Sequence, residues 1–583
     1  MRVIYSFFVL LFLGNCLVTM AQEEISQDVK VVKEYTPTVS DAYKISYMPQ
    51  LGDSGTVKPR FNYHILSTSV ATDYQPSPIE AAKIKTARKE YLHKTYLKGG
   101  VGNYSTLEAE LGYNILANEE YVLGLQVGHI SSLGNITLED DNTVDAPYHN
   151  TSAGLDFKHF FDDKTLLVNM DFDRRAYQYY GYQTLSPEGA YVLPNGELVG
   201  GMHYMPEEDQ RLSLFKATVG LYNNEADVRK TRYNANAGIE SFGTLTGVNQ
   251  FGVLLNGQVH KPIDNIGLRL DAGIEAYKTN VPDSLGPRYT FDDRSQLLVR
   301  VQPSLTFNFD RAKLRVGMLL AGVIDTQDDK FYVTPDVLGE LTVVEGIATV
   351  YAGMNGRVSI NDYASMMYEN NFAAADVNVK SSVYGLNFVG GVKGNFSAAT
   401  SFSAGLEYGL FNDEHFWVNR SFSTREEAPG LNAAQDYGNI FDVVYDDGSL
   451  LKVHGELLYR PKESMNFALS GAYYGWHLDE QLEAWHKPEV ELALEGNFKV
   501  MENLHALAGI HYMGERWAYD VTRDDLSKKL KGVVDVNVEA EYFFSKQWSF
   551  WVAVNNLMAA KYYQWNGYPM QGFNARAGII FSF

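Results

Sequence analysis

From Tyr96 onward, apolar and polar residues alternate along the chain. In 530–544, Leu530, Gly532, Val534, Val536, Val538, Ala540, Tyr542 and Phe544 share one face, while Lys529, Lys531, Asp535, Asn537, Glu539 and Glu541 take the other. A period of two held this long predicts a strand with one dry and one wet side. The pattern returns in 488–499, where Val490, Leu492, Leu494 and Phe498 oppose Glu489, Glu491, Glu495 and Asn497. It returns again in 265–278, with Ile266, Leu268, Leu270, Ala272 and Ile274 against Arg269, Asp271 and Glu275, and in 106–114. Strands of about 12–16 residues exceed the ~5–6 of a β-sandwich, and charge on the wet face suits a membrane barrel wall.

The connections alternate in length. Short polar ones stand at Ala117-Asn118-Glu119-Glu120, Asp162-Asp163-Lys164, Asp310-Arg311-Ala312, Ser397-Ala398-Ala399, Pro461-Lys462-Glu463 and Ser545-Lys546. Longer ones fill 134–148, 182–207, 362–382 and 424–438. Short periplasmic turns and long external loops are the outer-membrane arrangement. Counted back from the C-terminus with every short turn on one side, about 22 strands end at Tyr96, with 331–344 and 439–444 the weakest of them. The expected fold is therefore all-β: a transmembrane antiparallel β-barrel over 95–583. Tyr177, Tyr179, Tyr180 and Tyr182, Trp517 and Tyr519, Trp548 and Phe550, and Tyr562, Tyr563 and Trp565 gather near strand ends. Such rings are expected at the two membrane interfaces.

Composition narrows the alternatives. The 583 residues are 45% hydrophobic and 13% aromatic, with 50 Gly, 18 Pro, one Cys and a formal charge of -22. Mean hydropathy is -0.22, an average over two faces. After the first two dozen positions no apolar run reaches the ~18–20 residues a spanning helix needs. The acidity excludes a nucleic-acid binder, and the cysteine count excludes a disulfide scaffold. Residues 1–21 read as a secretory signal peptide: Arg2, an apolar Phe7 to Leu13, then Thr19-Met20-Ala21 with cleavage after Ala21. Cys16 raises a lipoprotein alternative that its neighbour Asn15 disfavours. Residues 22–94 hold Pro37, Pro49, Pro59, Pro76 and Pro78, which disfavour long strands. They read as an extended leader, periplasmic or lumen-occluding, ending in the basic patch Lys83, Lys85, Arg88, Lys89 and Lys94. That patch reads as a solvated turn of helix before a partner-binding arm.

The last strand carries the most specific signal. Phe573, Ala575, Ala577, Ile579, Phe581 and Phe583 alternate with Asn574, Arg576, Gly578 and Ser582. Ile579, Phe581 and the terminal Phe583 form the expected outer-membrane insertion signal, read by the barrel-insertion machinery. Upstream stand Asn555-Asn556-Leu557, Lys561-Tyr562-Tyr563, Gly567-Tyr568-Pro569 and Gln571-Gly572. This ending resembles that of TonB-dependent receptors, and the resemblance implies a 22-stranded barrel. It departs from that family before the barrel, where about 73 residues stand in place of a full plug domain. Val29-Lys30-Val31-Val32 echoes the TonB-contacting segment no better than chance. The leader, with Tyr35-Thr36-Pro37-Thr38 and Asp41-Ala42-Tyr43-Lys44, resembles the start of plugless barrel proteins of the Bacteroidota. That departure puts energised import, and contact with TonB, in question.

Catalytic chemistry is not expected: there is no Gly-x-Ser-x-Gly, no His-Glu-x-x-His and no paired-Cys spacing. His454, His505 and His511 read as single polar contacts in a wet lumen. Glu139-Asp140-Asp141-Asn142 with Asp145, and Asp325 with Asp328 and Asp329, read as solvated loops before Ca²⁺ sites. No cofactor or metal is expected. Two readings of function remain. In the first, a lumen lined by Glu108, Glu110, Asp271, Glu489, Glu491, Glu495, Glu539 and Glu541, offset by Arg269, Arg300, Lys499, Lys529, Lys531 and Arg576, binds or passes a polar solute. In the second, the barrel is a non-transporting scaffold or accessory subunit of an outer-membrane assembly. Expected partners are outer-membrane lipid and lipopolysaccharide, the insertion machinery, and a periplasmic or outer-membrane protein.

Overall fold

Two compact units divide the chain, 1–88 and 89–583. The structure, a computed structural model, describes residues 94–583 apart from 118–119, 140, 142, 182–190, 193–197, 200–208, 224–229, 283–292, 327–328, 424–434 and 521–524. The predicted signal peptide with Ala21, and the leader up to residue 93, lie outside the described residues.

Twenty-two strands form one antiparallel sheet in which each pairs with its neighbours in sequence. The first strand, Thr95–Gly102, pairs with the last, Asn574–Ser582, from Tyr96↔Ser582 to Gly102↔Arg576, which closes the barrel. In hydrocarbon an unpaired backbone group costs several kcal/mol, so a spanning sheet must close on itself. Polar side chains on the lumen side reinforce the seam. Glu108, on the second strand Thr106–Ala117, binds Lys98 of the first strand at 2.7 Å and Arg576 of the last at 2.5 Å. The Lys98 ammonium also lies 4.2 Å from the Trp551 ring centroid. That indole lies against Gly100, where a Cβ would stand 2.3 Å from the ring, so only glycine fits.

The alternation resolves into lipid and lumen faces. On the ninth strand, Ile266–Asn280, Leu268 and Leu270 are each 44% exposed on the outside. On the inside Arg269 binds Asp271 at 2.7 Å, and Glu275 binds Arg300 at 2.6 Å. Exposed Leu125, Phe215, Leu255, Leu305, Leu406, Leu469 and Ile510 carry the apolar face around the sheet. A continuous outward belt of this kind is what a bilayer covers.

The short connections share one end with both termini of the sheet, where the Phe583 N–H donates to the Thr95 carbonyl at 2.9 Å. The long loops fill the other end. The weak stretches 331–344 and 439–444 are strand, within Lys330–Val344 and Gln435–Lys462. The latter has 28 residues and its partner Thr400–Ser423 has 24, far beyond the ~9–11 that span a bilayer, so both run on past it. One expected strand is shorter than its pattern. It starts at Val533, not at residue 530, because Leu530 belongs to a loop hairpin of Arg516–Tyr519 with Ser527–Leu530. There Leu530 is buried rather than lipid-facing, and Lys529 pairs with Glu515 instead of lining the wall.

Val301→Arg, on the outward face midway along the tenth strand Arg294–Asn308, is expected to cost about 2–4 kcal/mol of stability. Thr218→Arg, on the lumen side of Asp209–Asn223, should stay within about 0.5 kcal/mol. Guanidinium unfolding in lipid vesicles measures both.

Candidate functional site: a capped mouth over a polar chamber

The connection 360–381 joins the thirteenth strand, Ala348–Ser359, to the fourteenth, Ser382–Ser397. It holds a seven-residue helix, α1 (Tyr363–Glu369), started by Asp362, whose carboxylate accepts from the Ser365 N–H at 3.1 Å. So short a helix has no stability of its own, and tertiary packing holds it. Tyr363, Ala364, Met366 and Met367 are buried. The Tyr363 ring meets Phe242 edge to face at 5.8 Å, and the Ala364 N–H donates to Gln250 Oε1 at 2.9 Å. The Tyr368 hydroxyl donates to Asp173 at 2.8 Å, with the Arg175 guanidinium 4.2 Å from the ring centroid.

Beyond the helix the same loop reaches two further walls. On the fifth strand, Lys164–Gln178, Tyr177 donates to the Asn371 carbonyl, and just past it Tyr179 donates to the Ala373 carbonyl at 3.0 Å. On the sixteenth, Gln435–Lys462, the Phe441 carbonyl accepts from the Ala374 N–H at 2.8 Å, and the Phe441 N–H donates to the Phe372 carbonyl at 2.9 Å. Places five and sixteen differ by 16 − 5 = 11 in a ring of 22, so these walls face each other. The loop therefore crosses the mouth.

Other loops lock it there. Tyr568, fully buried in the connection before the last strand, stacks on Phe372 at 3.5 Å and 16°, while Tyr180 donates to the Pro569 carbonyl at 3.0 Å. His486, also buried, lies 2.8 Å from the Trp417 carbonyl through Nδ1 and accepts from the Asn566 N–H at 3.3 Å through Nε2. The carbonyl demands a donor and the amide an acceptor, so the ring is neutral with its proton on Nδ1. Burial pushes its pKa down from 6.5 to about 3. Glu369, at the end of α1, is met by His415 at 2.8 Å, the Trp417 indole at 3.0 Å and Lys487 at 3.5 Å. Burial opposes its ionisation, but these partners outweigh burial and hold the carboxyl down at about 2. Arg420 bonds Asp376 at 2.6 Å, and Arg294 bonds Asn378 at 3.0 Å.

Toward the turn end lies a chamber of about 670 Å³ lined by Arg315, Asp336, Arg357, Tyr384, Glu407, Lys452, Tyr474, Trp476, Lys487 and Glu491, among others. On the sixteenth strand Lys452 sits 452 − 441 = 11 residues below the cap contact at Phe441. Arg315 pairs with Asp336 at 2.9 Å, Arg357 lies over the Tyr384 ring at 4.4 Å, and Tyr474 donates to Glu491 at 3.2 Å. Among the described residues the buried Trp476 Nε1 and Arg315 Nε have no partner, which leaves two donors for a guest. Among the described residues no group of His, Cys, Asp and Glu is placed to hold a metal.

Of the residues singled out from sequence, Glu108, Glu110, Asp271, Arg269, Arg300 and Arg576 lie on the lumen face. Ile579 and Phe581 lie on the last strand, with Phe581 paired to Leu97 and Trp548. Glu139 is bound by Lys528 at 2.5 Å and Asp325 by Arg294 at 2.6 Å, while residues 140, 142 and 328 lie outside the described residues. The aromatics divide. Trp548 and Phe550 face outward as expected, but Tyr177, Tyr179, Tyr180 and Trp565 pack in the cap core, and Trp517 and Tyr519 in a neighbouring loop core. The cap itself was not foreseen. Its signal was the density of Tyr, Phe and Trp inside loops rather than at strand ends.

No family model and no curated relative matches the sequence. The fold has solved counterparts. The pyoverdine outer membrane receptor FpvA from Pseudomonas aeruginosa PAO1 is 12% identical with a TM-score of 0.59, over 85% of this chain and 80% of that one. The ferric-catecholate import receptor Fiu from Escherichia coli K12 is 11% identical with a TM-score of 0.58, over 84% and 82%. The siderophore receptor PirA from Acinetobacter baumannii is 11% identical with a TM-score of 0.58, over 84% and 80%. The likeness is one of fold.

Removing the stacked ring with Tyr568→Ala is expected to cost about 3–5 kcal/mol of cap stability, seen as faster amide exchange in 360–381 with the wall strands unchanged. Acid should loosen the cap as well. The closed state keeps His486 neutral while the open state takes a proton below 6.5, so stability falls as pH drops from about 6.5 toward 3. The loss reaches about 2 kcal/mol by pH 5. Glu369 adds to it as pH falls from 4.5 toward 2, and Asp362, raised by burial, works the other way in the carboxylate range. Between pH 6.5 and 5 the slope belongs to His486, and His486→Phe should flatten the exchange-versus-pH profile there.

Proposed function

We propose that this chain is an outer-membrane, TonB-dependent-receptor-like barrel that binds or passes a polar solute, and that its loop cap governs access from outside. The carrying observation is the cap's crossing between opposite walls above a chamber of mixed charge with two unpartnered donors. A barrel of this width needs such an occlusion, because 22 strands enclose more space than their own side chains fill. The chamber's paired charges and tyrosines suit a hydrogen-bonding guest rather than an apolar one. In this reading residues 1–21 are the signal peptide, 22–94 the leader and 95–583 the barrel. Ile579, Phe581 and Phe583 serve insertion.

The alternative is a non-transporting scaffold, in which the cap stays shut and the loops dock a partner. Accessibility separates the two. In a Cys16→Ser background, Lys452→Cys places a thiol in the chamber wall. Under the access reading, a membrane-impermeant maleimide added to intact cells labels it slowly, and Phe372→Ala/Tyr568→Ala speeds labelling about tenfold or more. No acceleration in the opened variant, together with a stoichiometric co-purifying partner, would establish the scaffold instead.

A further inference from the structure

The outward face should be apolar, and over most of the sheet it is. Among the described residues of the barrel strands, its loop-end half carries three Lys or Arg: Arg174, Arg211 and Lys278. Two of the three are neighbours. The register builds a row His129↔Thr151↔Arg174↔Ser213 across four consecutive strands, with His149↔Ala176↔Arg211 as the row above it. The row immediately below is Val127↔Ala153↔Phe172↔Phe215, and under that lie Leu125, Leu155, Met170 and Ala217. The boundary between cations and hydrocarbon is thus one row, two residues along each strand, wide.

Its height fits a headgroup layer. Arg174 stands 174 − 164 = 10 residues along the fifth strand from Lys164 at the turn end. At ~3.3 Å per residue and a ~40° tilt, that is about 25 Å along the barrel axis, the thickness of the apolar band. Neither arginine makes an ion pair or a side-chain hydrogen bond among the described residues. Asp209, on the same face, is instead engaged by Gln178 at 2.7 Å. His129 Nδ1 lies 2.8 Å from Thr151 Oγ1, and its ring is 6.3 Å from that of His149.

We infer that this patch binds the phosphate of an outer-leaflet glycolipid, with its acyl chains on the Phe172–Phe215 rows below. Two free guanidiniums present forked donors that match phosphate oxygens; the Thr151 hydroxyl lies between Arg174 and His129, and the Ser213 hydroxyl flanks Arg174 on the other side. A free phosphate would use the same cations but gain nothing from the apolar rows, so those rows commit the site to a lipid. The inference rests on the long-loop end facing outward and not on any passage through the lumen.

Native mass spectrometry of the full chain in detergent tests it, with bisphosphorylated lipid A and its dephosphorylated form as probes. The wild type should bind the bisphosphorylated lipid about tenfold more tightly than the dephosphorylated one. Arg174→Ala/Arg211→Ala should remove that preference, Arg174→Lys/Arg211→Lys should keep most of it, and Lys278→Ala should leave it unchanged. Equal binding by the alanine double variant, or equal binding of the dephosphorylated lipid, would overturn the site. Displacement of the lipid by inorganic pyrophosphate at matched concentration would overturn the lipid assignment in favour of a free phosphate.

Discussion

The closed wall of this barrel depends on the seam between Thr95–Gly102 and Asn574–Ser582. Until those strands pair, the sheet has two edges in hydrocarbon, and each unpaired group there costs several kcal/mol. Backbone pairing alone does not specify which strands meet. Glu108 supplies specificity, because it bridges Lys98 and Arg576 and so touches the first, second and last strands together. The Trp551 indole over Gly100 adds a shape requirement at the same place. The charges sit toward the lumen, where water screens them in the open chain and where they do not burden the lipid face.

Closure at 22 strands then creates a second problem. Small barrels fill their interiors with wall side chains, but a ring this wide cannot. Among the described residues the answer at the loop end is a hydrophobic core made of loops. Tyr363, Phe441, Tyr568 and Trp417 are almost wholly buried, although none lies in the membrane span. The core is held by hydrogen bonds from tyrosine hydroxyls and two arginines to cap carbonyls, a carboxylate and an amide, so each loop needs the others in place. Such mutual dependence makes opening cooperative, and it places a neutral histidine and an ionised glutamate where acid disturbs both.

The wall was legible in the sequence because alternation is local. Leu268, Leu270 and Ile274 against Arg269, Asp271 and Glu275 needs only a dozen residues to read, and the strand count followed from turn lengths. The edges were less legible. Leu530 kept the parity of the strand after it, yet the chain leaves the wall at Lys531 and Gly532, so period alone carried the strand too far. The cap's contacts were not legible from local pattern. Phe372 meets Tyr568 across nearly two hundred positions, and Tyr177 meets Asn371 across a similar span. Clustered tyrosines near strand ends have two physical uses, an interface belt or a loop core, and only tertiary contact distinguishes them.

The two faces of the wall also differ in what a charge means. On the lumen side charges are common and mostly answered: Arg269 has Asp271, Arg300 has Glu275, Arg315 has Asp336. A lumen arginine is therefore weak evidence of any ligand, since pairing with a neighbour accounts for it. On the lipid side the same residue is costly, by about 2–4 kcal/mol at the midplane and less near the interfaces, and no carboxylate pairs with it. An outward arginine at the edge of the band costs less, and a membrane anion can answer it. At the height of Arg174 and Arg211, one row above a phenylalanine row, Asp209 is taken by Gln178, and membrane phosphates are the anions that suit them. Rarity, and the lack of a partner among the described residues, make two exposed arginines more informative than the many charges of the lumen.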